Sequence, residues 1–195
     1  GQALDEVREL QALFELEKGT HLEEQIDISY TTKGSSLVGK VGNVYGDKLI
    51  VNTVSTKERA VKYYLPFYIS WLLLKVSNNA KEGVFLADGK AKRIPVDFLT
   101  KKEAVKELEM LIKIFGLGYG EILPFTMELR WKTLKAISSL KVEEAQSDVL
   151  NEIENNDYAS EYIKMECRNG FFDRKRVKEL QRVTDVVLSN LKKVF

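Results

Sequence analysis

The sequence is short of the residues that carry much of enzyme chemistry. It holds one cysteine, Cys167, which excludes an internal disulfide and any multi-thiolate metal site and suits a reducing, cytoplasmic setting. Its one histidine, His21, excludes histidine-rich metal sites and any mechanism that needs two imidazoles. That residue follows Gly19-Thr20 at the predicted exit of a helix, where capping or plain solvation is the expected role. Charge of one sign is missing too: 30 Lys+Arg against 29 Asp+Glu leave a net +1, so net charge does not announce a nucleic-acid partner and only local patches can. The most apolar run, Tyr63 to Leu74, contains Pro66 and Ser70 and is flanked by Lys62 and Lys75. It is too short for a membrane span and reads as a buried helix, so no membrane partner is expected. No signal peptide, repeat or low-complexity tract appears, and the missing initiator Met predicts a piece of a longer protein.

What is present is a chain of 195 residues, 44% hydrophobic, enough for one continuous core, and a single domain over 1–195 is the expectation. Leu4, Val7, Leu10, Leu13, Phe14 and Leu16 recur at helical spacing, and Lys18-Gly19 supplies a basic last turn and a stop. From Gln25 to Val54 the pattern changes to short β-branched runs, Ile26 to Thr31, Leu37 to Tyr45 and Lys48 to Val54, with reversals at Gly34 and Gly46. A three-stranded meander follows. Ser55-Thr56 can cap a helix to Val76 with Val61, Tyr64, Leu65, Tyr68, Trp71, Leu72 and Val76 on one side, kinked at Pro66. Two short strands are predicted around Ala87-Asp88-Gly89, then a Thr100-capped helix to Phe115 with Val105, Leu108, Leu111, Ile112 and Phe115 inward. Further helices are predicted near Thr126 to Ser138, Val142 to Asn155 and Asp173 to Lys193, the last with Val177, Leu180, Val183, Val187 and Leu191 inward. The expected class is α/β, with helices covering a mixed sheet and a mainly helical carboxyl half.

The hairpin from Leu37 to Val54 resembles that of restriction-endonuclease-like nucleases. There, one strand carries Gly-x-Ile-Asp and the next Asp-x-Lys after a hydrophobic run. Two carboxylates on one face bind Mg²⁺ through oxygen ligands, and the lysine two residues on shares that face. In this chain those positions read Gly42, Asn52 and Val54, none able to do that work. The register decides whether they share a face. A three-residue Tyr45-Gly46-Asp47 loop sets Gly42 opposite Ile50, on the side of Asn52 and Val54, whereas a two-residue turn sends it to the other face. Any three-stranded meander is the alternative.

A second resemblance rests on order. The hairpin, Tyr64-Leu65-Pro66-Phe67-Tyr68-Ile69-Ser70-Trp71-Leu72-Leu73, and Gly116-x-Gly118-x-Gly120-Glu121-Ile122-Leu123-Pro124-Phe125 follow one another as in the carboxyl-terminal domain of RecC, the exodeoxyribonuclease V gamma subunit. The resemblance covers Leu22 to Leu140, with Met165-Glu166-Cys167-Arg168 similar to the family's hydrophobic-Arg element. The family's His-containing stretch stands here as Ser70-Trp71-Leu72-Leu73, so no role of that histidine carries over. The resemblance implies a degenerate restriction-endonuclease-like three-layer core without catalysis, metal or cofactor. It also implies partners: DNA, as single strands and fork, and RecB-like and RecD-like subunits. Strand guidance and scaffolding in double-strand break repair are the implied work. A divergent nuclease with acids moved to Glu23, Glu24 or Asp47, and a pure protein-interaction module, are the rivals.

Candidate DNA contacts are Lys40, Lys48 and Lys57 around the degenerate site, and Arg130-Trp131-Lys132, which pairs a stacking ring with phosphate-binding cations. Solvated surface for the lysines and core for Trp131 are the plainer readings. Gly116-Leu-Gly118-Tyr-Gly120 follows a helix instead of a strand and reads as a helix C-terminal turn, not a phosphate loop. Arg174, Lys175, Arg176 and Lys178, interleaved with acids, read as a solvated helix face.

Overall fold

Glycine turns and alternating apolar residues build the sheet that organises the first half of the chain. The computed structural model describes residues 2–32, 34–54, 60–120, 125, 129–156 and 159–195. Two compact units are present: Gly1–Thr56 with Tyr63–Met110 and Val194–Phe195, and Lys57–Lys62 with Leu111–Lys193.

In the first unit, helix α1 (Gln2–Lys18) is followed by strands β1 (Glu23–Thr32), β2 (Ser35–Tyr45) and β3 (Lys48–Asn52), helix α2 (Ala60–Val76), strands β4 (Glu82–Ala87) and β5 (Lys90–Ile94), and helix α3 (Lys101–Gly120), which runs on into the second. The strands lie side by side in the order β1-β2-β3-β4-β5. All neighbours are antiparallel except β3 and β4, whose parallel pairing needs a crossover, and α2 supplies it. Asp88 and Gly89, with φ of 51° and 69°, make the β4–β5 reversal a two-residue turn of the primed kind that matches strand twist.

Alternation along β3 and β4 sends successive side chains to opposite faces. On one face Ile50, Val84 and Leu86 join Tyr45 and Leu10 of α1, with Leu13 and Phe14 packed against them. On the other, Phe85 meets Tyr64 and Phe67 of α2 at ring separations of 5.1 and 5.4 Å. A Cβ on Gly83 would come within 3.0 Å of Phe67 and 3.1 Å of Trp71, so glycine lets α2 settle onto the sheet. Helix, mixed sheet and helix form the expected three layers.

Individual expectations change. Leu4, Val7 and Leu16 of α1 are 60%, 48% and 76% exposed, because the helix needs only Leu10, Leu13 and Phe14 to cover its stretch of sheet. Helix α2 continues through Pro66 and is buried on more than the predicted side, Phe67 and Leu74 included. The Tyr68 hydroxyl donates to Glu107 of α3 at 2.8 Å, and Thr32 of β1 donates to Glu109 of the same helix at 2.9 Å, so α3 touches both α2 and the sheet. Thr100 caps α3 as predicted: its Oγ1 accepts from Glu103 N at 3.3 Å, and the Glu103 carboxylate accepts Thr100 N–H at 2.8 Å. The helix does not end at Phe115. It reaches Gly120, so Gly116 and Gly118 lie inside it and form no terminal turn, and Phe115 is 68% exposed. Glycine weakens a helix by about 1 kcal/mol without breaking its hydrogen-bond ladder.

The second unit is helical: α4 (Trp131–Ala136), a 3-10 turn (Ile137–Ser139), α5 (Val142–Glu154), α6 (Glu161–Arg168), α7 (Arg174–Leu188) and α8 (Leu191–Val194). Residues 126–128 of the predicted Thr126 to Ser138 helix lie outside the described residues. Val177, Leu180, Val183, Val187 and Leu191 are all buried, as the period requires, although the last helix divides at Ser189-Asn190. The Gln181 amide donates to the carbonyls of Ile137 at 2.8 Å and Leu140 at 2.9 Å, pinning α7 to the 3-10 turn. Asp173 caps α7 by accepting Arg176 N–H at 2.8 Å.

Candidate functional site

The β2–β3 hairpin is built around one irregularity. Tyr45 pairs with Lys48 and Val44 with Leu49, so Gly46-Asp47 is a two-residue turn, with Gly46 at φ +61°. Taken alone, that register sends Gly42 away from Asn52. However, β1 pairs Glu24 with Val44 and then Ile26 with Val41, so β2 holds one residue more than β1 across this interval. Asn43, at φ +58°, marks the bulge. Its extra residue resets the alternation. A Cβ on Gly42 would point to the Glu23 carboxylate, 3.3 Å away, and Glu23 pairs with Tyr45, which shares the α1 face with Ile50. Asn52, two residues beyond Ile50, belongs to that face as well. Gly42 and Asn52 therefore look to the same side, by a bulge, although the turn is the two-residue one that by itself would have parted them. Val54 lies past the end of β3 and is 47% exposed.

The three acids named as relocated ligands diverge. Glu23 anchors the bulge, accepting Asn43 N–H at 3.0 Å. Glu24 pairs with Val44 on the opposite face, and Asp47 sits in the turn, where its carbonyl accepts Glu82 N–H at 3.0 Å. Among the described residues no group of three His, Cys, Asp or Glu side chains is placed to hold a metal ion. Burial, then the charges of Glu23 and Glu15, push the Tyr45 phenol above its usual range.

Of the hairpin lysines, Lys48 is committed to structure. Its ammonium donates to the Glu17 carboxylate at 2.9 Å and the Glu17 carbonyl at 3.2 Å. Arg93 of β5 binds the same carboxylate and also reaches Glu82 at 3.1 Å. Burial alone would raise the Glu17 carboxyl, but the hydrogen bonds from Lys48 and Arg93 outweigh it and hold the group below the ordinary range. Lys40 stands on the α1 face opposite Asp27, 3.7 Å away, with both side chains well exposed. Such a pair holds its lysine weakly. Lys57 lies outside the described residues. His21 is exposed, and its ring covers Gly46, coming within 2.8 Å of where a Cβ would stand.

The second candidate set sits in the helical unit. Arg130 and Lys132 are exposed, and Trp131 between them is half-buried with the Lys135 ammonium 5.6 Å from its ring centre. Arg130 and Lys132 line a groove of about 440 Å³ with Asp148 and Asn151 of α5 and Asn155 just beyond its end. Glu152 closes one side by accepting the Arg130 backbone N–H and the Thr133 hydroxyl. The groove offers cations and amides together, with acids held close by. Arg174 pairs with Glu143 at 3.6 Å with both side chains exposed, whereas Arg176 is half-buried, pairing with Glu179 at 3.3 Å and lying 5.5 Å from the Phe171 ring centre.

Sequence reasoning missed the bulge and the role of Glu23. The signal was a Gly-Asn pair inside a strand, which is where a bulge is to be expected. Comparison with curated proteins and with solved structures returns no match. The family model described as the RecC C-terminal domain matches residues 1–138, from α1 to the 3-10 turn, and stops short of Met165-Glu166-Cys167-Arg168. It takes in the whole sheet, the bulged hairpin and both helices that cover it, and on that match the chain belongs to the RecC C-terminal domain family.

Proposed function

We propose that this chain is a non-catalytic, nuclease-like domain that guides separated DNA strands and scaffolds a helicase-nuclease complex. Family membership gives it a role in the RecBCD, or exodeoxyribonuclease V, complex, and no helix among the described residues is long and apolar enough to cross a membrane. The observation that carries the finer reading is the hairpin. Gly42 and Asn52 share one face, where a restriction-endonuclease-like site needs two carboxylates, and neither side chain can bind Mg²⁺ as an anionic ligand. Glu23, the acid beside them, is engaged by the Asn43 backbone. A domain of this kind acts by contact: its sheet and helices present surfaces to DNA and to RecB-like and RecD-like subunits in a cytoplasmic machine.

The test is to incubate the purified chain with linear duplex and single-stranded DNA in Mg²⁺ or Mn²⁺, and to measure DNA binding over a salt series. Binding that weakens with salt, without cleavage, is expected. Cleavage abolished by Glu23→Gln overturns the non-catalytic reading. Absence of binding at low salt overturns strand guidance and leaves a protein-interaction module.

A further inference from the structure

The face of β4 and β5 turned toward α2 carries an aromatic stack that the hairpin site does not use. Phe195 lies flat on Tyr64, with ring centres 3.9 Å apart and planes within 16°. Phe67 and Phe85 meet Phe195 edge-on, at 81° and 90°. The Lys92 ammonium is 5.1 Å from the Tyr64 ring centre and 5.3 Å from that of Phe195. Near-equal distances to two stacked rings put the ammonium beside the stack, not above it. Tyr64 is buried at 3% exposure, whereas Phe195 is only partly buried, and among the described residues its ring neighbours take one face and the edges. No ring of the described residues lies on the other face. Lys90, exposed and two residues before Lys92, points to the same side of β5, about 6 to 7 Å along the strand.

We propose that Phe195, backed by Tyr64, is a stacking platform for one nucleobase of single-stranded DNA, with Lys92 and Lys90 holding the adjoining phosphates. A planar aromatic face next to cations is the combination that binds single strands without reading sequence, because every base has a π face and every nucleotide a phosphate. β5 is an edge strand, so nothing beyond it in the sheet blocks a strand running along Lys90 and Lys92. This inference rests on the DNA-guiding reading and gives it a site.

The test uses the full chain and oligo(dT), with Phe195→Leu to keep the apolar contact but remove the ring, and Lys90→Ala/Lys92→Ala to remove the cations. Phe195→Leu is expected to weaken binding about tenfold with little change in salt dependence. The double lysine variant is expected to lower the salt slope by about one to two. An oligonucleotide carrying 5-iodouracil should cross-link to Phe195. If the wild-type chain binds oligo(dT) and Phe195→Leu binds equally well, or the cross-link maps elsewhere, the platform is wrong and DNA guidance stands. If the folded wild-type chain binds no single strand at low salt, both are overturned.

Discussion

The Glu23 carboxylate accepts the backbone N–H of Asn43 at 3.0 Å, anchoring the residue of β2 that stands at φ +58°. This bond fixes the bulge, and the bulge fixes which way Gly42 faces. Asn tolerates the left-handed region where a β-branched residue does not. Asn43→Val is therefore expected to destabilise the chain by about 1–2 kcal/mol in urea unfolding. Glu23→Ala should cost about 1 kcal/mol, and Glu23→Gln, which keeps an acceptor, less. An Asn43→Val variant as stable as the wild type would mean that β2 has no bulge there.

Gly46 answers to two constraints that can be separated. Its φ of +61° disfavours any side chain, and the His21 ring occupies the space a Cβ would take. Gly46→Ala is expected to lose about 1–2 kcal/mol from backbone strain and crowding together. In the Gly46→Ala/His21→Ala double variant, part of that loss should return, since the crowding is gone and the strain remains. Full recovery would show that φ contributes nothing, and no recovery that the ring moves aside freely.

The Gly46 reversal was legible in the sequence, and the Asn43 bulge was not. The strands, the Thr100-Glu103 cap and the inward face of α7 were legible because they depend on local period and on side chains that satisfy nearby backbone. The exposure of Leu4, Val7 and Leu16 was not, because helical spacing shows which residues share a stripe and not how much sheet lies beneath it. Lys48 shows the same limit at the candidate site. As a hairpin lysine it read as a candidate phosphate contact, with solvated surface the plainer reading, yet Glu17, 31 positions away, holds it. A pairing across that separation leaves no local pattern. The Phe195 stack on Tyr64 is more distant still.

Glu17 gives a prediction with a definite sign. Its side chain is 10% exposed and bonded to Lys48 and Arg93, and those bonds hold its carboxyl below the ordinary carboxylate range. A carboxylate depressed in the folded state contributes stability that is fully present above the unfolded value and lost as pH falls through the folded one. Glu17→Gln is thus expected to destabilise by about 1–3 kcal/mol at pH 7. Against the wild type, the difference should narrow as pH falls below about 4.5 and vanish once the wild-type carboxyl is protonated. Urea midpoints of both proteins over pH 3–7 measure this, and a constant difference would refute the role of the charged form.

The remaining cations divide by what already holds them, and their variants should divide in the same way. Lys48→Ala removes a structural partner of Glu17, so it is expected to lower stability and leave DNA affinity at fixed salt nearly unchanged. Lys40→Ala breaks only an exposed pair with Asp27, so stability should hold, and any effect will appear as weaker DNA binding. Arg130→Ala/Lys132→Ala strips the cations from the α4–α5 groove while the backbone N–H that Glu152 accepts stays in place. If that groove carries phosphates, the double variant should bind every sequence more weakly and lose about two from the slope of log affinity against log salt. Equal slopes in wild type and double variant would remove the groove from the DNA path. A lowered slope in Lys40→Ala alone would place that path on the hairpin.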